Sequence, residues 1–158
     1  MMPRSALLLI DPPSDPQALA EAVGRGMYSV DPASQNLGAE IVSIGPGECT
    51  MTMKVRREML NGHQTCHGGF IFAFADSTFA FACNSRNLNT VAAGCTIDYL
   101  APAFEDEILT SHAKERSLAG RTGIYDVTVT NQAGKAIALF RGRSYRIKGQ
   151  VIGQAPEV

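Results

Sequence analysis

Residues 68–84 read GGFIFAFADSTFAFACN. Five phenylalanines, one isoleucine and four alanines surround a single charge, Asp76. Apolar side chains fall on nearly every side of a 3.6-residue period, so the stretch predicts a core helix that must be covered almost all round. An unpaired carboxylate in such a place is driven toward its protonated form or costs free energy to keep charged. A chain tolerates that when the carboxylate performs chemistry. Asp76, Ser77 and Thr78 also interrupt the centre of the run, which argues against a membrane span.

The flanks supply the wrapping. Upstream, Asp15–Met27 predicts a short helix capped by Ser14 or Asp15 and ending at Gly24 or Gly26. Gly38–Gly45 predicts a strand, followed by a Pro46-Gly47 turn. Glu48–Arg56 alternates with period two, with Cys49, Met51, Met53 and Val55 on its apolar side. Residues 57–66 then lead as a loop into the apolar helix. Downstream, strands are expected at Thr90–Leu100, Glu107–Arg116, Thr122–Asn131 and Lys135–Ile147, the last two joined by a turn at residues 131–134. In the first of these, Val91, Ala93, Cys95, Ile97 and Tyr99 are expected on one face. The pattern gives an α+β architecture, the hotdog fold: one long central helix wrapped by a curved antiparallel sheet of five to six strands, plus a short N-terminal helix. A single domain over residues 1–158 is expected, with its core at about 15–148 and loose tails at either end. One sheet leaves part of the helix uncovered, so a further body must close it.

Composition narrows the classes. A hydrophobic fraction of 45%, a charged fraction of 18% and a net charge of −1 are those of a soluble globular protein and give no case for nucleic acid. Residues 111–158 nevertheless hold eight bases against three acids, whereas residues 61–110 hold five acids and one base. The basic C-terminal third suits a polyanionic ligand or a solvated strand surface. Four cysteines, at 49, 66, 83 and 95, show no C-x-x-C pair and read as free thiols in a reducing cytoplasm. The ALLLI run at 6–10 is too short, and too soon followed by Asp11-Pro12-Pro13, to be an export signal.

Immediately before the helix stands His63-Gln64-Thr65-Cys66-His67-Gly68-Gly69. Glycines at a helix N-terminus let a ligand approach the first N–H groups, which have no intrahelical acceptor and lie at the positive end of the helix dipole. They can hold an anion or a developing oxyanion, or simply permit a tight turn. Asp76 lies eight residues past Gly68, roughly 12 Å along the axis at about 1.5 Å per residue. It cannot attack a carbonyl held at its own helix end. Two such helices paired antiparallel across a two-fold axis would bring each Asp76 to the other's Gly68 and cover the open face, making the dimer part of the chemistry.

The segment NGHQTCHGGFIFAFADSTFAFACNS, followed by TIDYLAPA and ALFRGRSYRI, resembles the PaaI-type thioesterases of the hotdog superfamily over most of residues 15–148. The resemblance implies hydrolysis of acyl-CoA, preferentially aromatic acetyl-CoA in phenylacetate breakdown. It implies no metal and no organic cofactor, coenzyme A being part of substrate and product. It makes Asp76 the catalytic carboxylate, as nucleophile or general base, and the Gly68 N–H the donor to the thioester oxygen. Asn61 and His67 take flanking positions that orient water or substrate, with Gly69 beside them. Some relatives carry a serine or threonine on the strand facing the site; here Thr96 is the candidate. Gly120, Arg121 and Thr122, with Arg143, Arg146 or Lys148, are candidates for the coenzyme A phosphates. The expected partner is a second copy, in a dimer of dimers, and neither nucleic acid nor membrane. Other readings use the same residues: a cysteine hydrolase built on Cys66 with His63 or His112, a metal site at His63, Cys66, His67 and Asp76, a dehydratase or hydratase on the same fold, which would need a different acid-base pair, a hotdog thioesterase for other acyl-CoA chains, and a non-catalytic acyl-CoA binding or sensor module.

Overall fold

The computed structural model describes residues 6–153. After a 3-10 turn at Ala6–Leu8 come α1 (Pro16–Tyr28), α2 (Pro32–Leu37), β1 (Glu40–Gly45) and β2 (Glu48–Lys54). A second 3-10 turn, Arg57–Met59, precedes α3 (Gly68–Asn84), and β3 (Thr90–Tyr99), β4 (Ile108–Ala119), β5 (Thr122–Thr130) and β6 (Ala136–Arg146) follow. The strands form one antiparallel sheet in the order β1-β2-β4-β5-β6-β3, so β1 and β3 are its edges. α3 touches all six strands, which a sheet can achieve only by curling round the helix. This is the hotdog arrangement.

Alternation does the wrapping. Met51 and Met53 from β2, Leu109 from β4, Val127 and Val129 from β5 and Phe140 from β6 point inward onto Phe74, Phe79 and Phe81 of α3. Burying side chains of this size stabilises by roughly 1.5–3 kcal/mol each. At Gly142 the Phe79 ring occupies the space of a side chain, 2.7 Å from where a Cβ would stand. One stripe of α3 stays only partly covered: Gly69, Phe72, Ala73, Asp76, Ser77 and Ala80, at the spacing of a single helix face. Phe72 is held at the margin by an edge contact with Phe140, ring centroids 5.5 Å apart.

Several local expectations need correcting. α1 begins as expected, with Asp15 accepting from Ala18 N at 2.8 Å, but runs through both glycines to Tyr28. These glycines serve close packing: a Cβ on Gly24 would stand 3.3 Å from Ile44, and one on Gly26 would stand 2.9 Å from Ile152. α2 was not anticipated, although Asp31 caps it, Pro32 opens it and Gly38 closes it at φ +68°. β4 extends past Arg116 to Ala119, and Gly120-Arg121 form the two-residue hairpin turn, with Gly120 at φ +59°. In β3 a bulge between Ala92 and Gly94 breaks the single face. Val91 pairs with outward-facing Tyr145, whereas Cys95, Ile97 and Tyr99 pair with Gly142, Phe140 and Ala138 on the helix side. The described parts of the two ends are not loose. Leu8 and Ile152 are buried together against Ala22 and Val23, and Asn87 receives Ile152 N at 2.8 Å. The remainder of the expected tails, residues 1–5 and 154–158, lies outside the described residues.

Candidate active site

The loop before α3 is tied down at several points. Asn61 Oδ1 accepts from His63 N at 2.9 Å and from Thr65 N and Oγ1 at 3.3 and 3.2 Å, and Asn61 N donates to Thr65 O at 2.8 Å. Cys66 N donates to Ala103 O and His67 N to Met59 O, both at 2.8 Å. Asn61 therefore shapes the loop with its carbonyl oxygen, and its Nδ2 has no partner among the described residues. His67 is the N-cap of α3, where Nδ1 accepts from Gly69 N at 2.9 Å, so Nε2 is the nitrogen left to face a ligand. The Gly68 N–H has no acceptor among the described residues. Tyr99 lies over this end: its hydroxyl donates to Gly68 O at 2.8 Å, and its ring would touch a Cβ on Gly68 at 2.9 Å. Asn61, His67, Gly68 and Gly69 are thus assembled at one helix end, with one unpaired backbone N–H among them, that of Gly68. Gly69 contributes no second donor, because the cap takes its N–H.

Asp76 sits at the middle of α3 on the open stripe, half-buried. Its Oδ1 accepts from the Cys95 thiol at 3.7 Å. Burial raises its pKa above the usual carboxylate value, and the thiol hydrogen bond opposes that rise. No charged side chain pairs with it among the described residues. Neither Cys95 nor Tyr99 was singled out from the sequence. Their i, i+4 placement on the helix-facing side of the strand after α3 was the available signal.

The remaining candidates divide. Gly120 and Arg121 line a shallow pocket with Cys83, Arg86, Thr90 and Arg146. Arg86 is paired to Glu115 at 2.6 Å, whereas Arg121 and Arg146 have no carboxylate partner among the described residues. Thr122 adjoins this turn as the exposed first residue of β5. The pocket lies at the C-terminal end of α3. Cys83 is roughly 22 Å along the axis from Gly68 at about 1.5 Å per residue. Arg143 is not there: it lies on the outer face of the sheet, its Nη2 3.5 Å from Ala93 O. Thr96 is also on the outer face, opposite Arg141, and is not brought to Asp76. Strand alternation from inward-facing Cys95 requires this. The basic run is partly neutralised, since Asp126 holds Arg141 at 2.6 Å and Arg116 at 3.2 Å.

The cysteine-hydrolase reading fails on thiol chemistry. Burial pushes Cys66 up to about 11, and Cys49 and Cys83 up to about 12. Cys66 is buried and its thiol faces the His67 carbonyl at 3.8 Å. A thiol held so far from its thiolate is a poor nucleophile. His112 is engaged elsewhere, by Thr50 at 2.8 Å and Glu48 at 3.2 Å. Among the described residues no three His, Cys, Asp or Glu side chains converge to hold a metal.

Residues 63–138 match the thioesterase superfamily. The acyl-coenzyme A thioesterase PaaI of Escherichia coli is 48% identical over 129 residues, spanning 82% of this chain and 92% of that protein. The structure of E. coli PaaI, from the phenylacetic acid degradation operon, superposes with a TM-score of 0.85 at 45% identity, covering 86% of this chain and 99% of that one. A hypothetical thioesterase from Streptococcus pneumoniae, solved with coenzyme A, gives a TM-score of 0.73 at 25% identity over 78% of this chain and 98% of its own.

Proposed function

We propose that this chain, which belongs to the PaaI-type thioesterases of the hotdog superfamily, hydrolyses arylacetyl-CoA to the free acid and coenzyme A at sites shared between two subunits. The observation that carries this reading is the pairing of two incomplete halves in one helix: a half-buried carboxylate at its middle and an unpaired N–H at its start. A thioester needs a donor for the oxygen that gains charge and a carboxylate to attack or to take a proton from water. The thiolate is already a good leaving group, so no strong general acid is required. In the reaction the C–S bond breaks, water's oxygen joins the acyl carbon, and the coenzyme A thiolate takes up a proton. Both routes for Asp76 begin with the ionised carboxylate, and neither requires a cofactor.

The halves meet only across copies. Setting Asp76 against Gly68 of a second copy centres an antiparallel helix pair on residue 72, midway between them. Phe72 and Ala73, both on the open stripe, then lie at the two-fold axis. The unpaired edge of β3 stands beside the same face. In this arrangement Arg121 and Arg146 of one subunit lie beyond the junction of its Asp76 with the other's Gly68. The flexible pantetheine arm is long enough to cross that stretch and bring the phosphates to the arginines. Phe70 and Phe72, the two helix phenylalanines outside the full core, are placed to meet an aromatic acyl group; Phe74 and Phe79 are core. Four free cysteines fit a reducing compartment, the cytoplasm.

The test is turnover of phenylacetyl-CoA followed with a thiol reagent, beside straight-chain acyl-CoAs. Release of coenzyme A, fastest from the aryl substrate, is expected. Tight binding of every acyl-CoA with no release would instead identify a binding module. A second expectation concerns Arg121. Arg121→Ala should raise KM for phenylacetyl-CoA about five- to tenfold with kcat unchanged, the scale of about 1 kcal/mol for an exposed ionic contact. The same variant should leave KM unaltered for phenylacetyl-N-acetylcysteamine, which has no phosphates.

A further inference from the structure

We propose that Cys95 is a positioning residue for Asp76, its thiol donating to Oδ1 and fixing the carboxylate so that Oδ2 remains for water or thioester. This rests on the reading of Asp76 as the reacting carboxylate. Three features of the fold converge on the contact. The Sγ–Oδ1 separation is 3.7 Å, and no other side chain or backbone donor reaches Asp76 among the described residues. The residue opposite Cys95 on β6 is Gly142, and the space a side chain would fill there is taken by Phe79. Nothing on the neighbouring strand therefore competes for the thiol. The bulge between Ala92 and Gly94 lies just ahead of Cys95 and resets the strand's alternation, as bulges do where a side chain must be re-aimed.

The chemistry suits the role. Burial, and next the adjacent carboxylate, push the Cys95 thiol up to about 11, so it stays protonated and able to donate throughout the neutral range. Within one subunit the titratable groups that face Asp76 among the described residues are Cys95 from β3 and Cys83 from α3 itself, and the shared site would add the second copy's His67, the N-cap beside Gly68. Cys83 is likewise kept protonated and is directed to Ala80 O at 3.5 Å. Among the described residues no charged group from β4, β5 or β6 pairs with Asp76. Within one subunit the thiol is thus the one group among the described residues that holds the ionised form against burial. A hydrogen bond to the charged form lowers a carboxyl pKa, so removing the donor must move the acid limb of the kcat/KM profile upward.

The experiment compares the pH profiles of wild type, Cys95→Ser, Cys95→Val and Cys95→Ala. The valine and alanine variants are expected to shift the acid limb up by about half a pH unit, a scale set by the weakness of S–H as a donor. Both should lose kcat several-fold with KM little changed. Serine, which keeps a donor, should return the limb to the wild-type position or below it. An acid limb unmoved in valine and alanine, or a serine variant that behaves like valine, would overturn the proposal. Because valine could perturb the edge strand, the Asp76 carboxyl is also titrated by 13C NMR in wild type and Cys95→Ala. An upward shift supports the contact, and an unchanged titration refutes it. That titration separates the two claims: full turnover by Asp76→Ala would remove the catalytic reading, whatever the NMR says of the thiol.

Discussion

Asp76→Ala is expected to lower phenylacetyl-CoA turnover by about a thousandfold, the range lost when a positioned base or nucleophile is deleted. The fold should persist, because the residue lies on the open stripe of α3 and not in the core that joins helix to sheet. The carboxylate is held at a cost to stability, and the sign can be worked out. Its pKa in the folded chain is raised above the ordinary 3.8 because burial penalises the charge. Below that ordinary value the group is protonated in both states and carries no penalty. The penalty grows as pH rises from there to the raised folded value, and is fully present above it. Asp76→Asn, which keeps the shape without the charge, should therefore melt higher than wild type at pH 7 while being inactive. The difference in Tm should close on acidification. A variant that lost activity and stability together at neutral pH would point to a structural carboxylate.

Gly68→Pro should be nearly as damaging, through a different atom. Proline at the first position of a helix deletes an N–H that has no acceptor among the described residues. The preceding residue, His67, already has φ −61° and ψ 134°, the extended conformation that proline demands of its neighbour. The helix should therefore form normally. Loss of one oxyanion donor costs about 10²–10³ in kcat. The control is Gly68→Ala, which keeps the N–H but places the same Cβ 2.9 Å from the Tyr99 ring. Tyr99 is half-exposed and can yield, so alanine should cost far less than proline. Equal losses in the two variants would assign the effect to crowding at Tyr99, not to the missing donor.

The long helix was legible because nothing else places five phenylalanines around one carboxylate. Glu48–Lys54 was legible because its alternation is unbroken, and the β5–β6 hairpin because its alternation holds except for one irregularity beside the turn, between Val129 and Thr130. What failed was local and had physical causes. Gly24 and Gly26 read as helix stops but are sites where Ile44 and Ile152 press against bare backbone. The face of β3 was misjudged at its start because one bulged residue inverts alternation, and the signal that could have announced it is Gly94, a glycine inside a strand pattern. The same bulge decides the site. Thr96 has the hydroxyl that would suit the strand facing the helix, yet Cys95 holds the inward position and meets Asp76. Arg121 and Arg143 were grouped as basic residues of the C-terminal third suited to the coenzyme A phosphates. The hairpin turn sends one to the pocket beyond α3 and strand alternation sends the other to the outer face.

The central claim is that each site joins Asp76 of one subunit to Gly68 of another. It is tested by co-expressing Asp76→Ala and Gly68→Pro chains with different tags and purifying the mixed dimer. In that dimer one site carries both substitutions and the other carries neither, so turnover should recover to about half the wild-type value per dimer. If the mixed dimer is no more active than the two parent variants, each site is built within a single chain and the shared-site account is wrong.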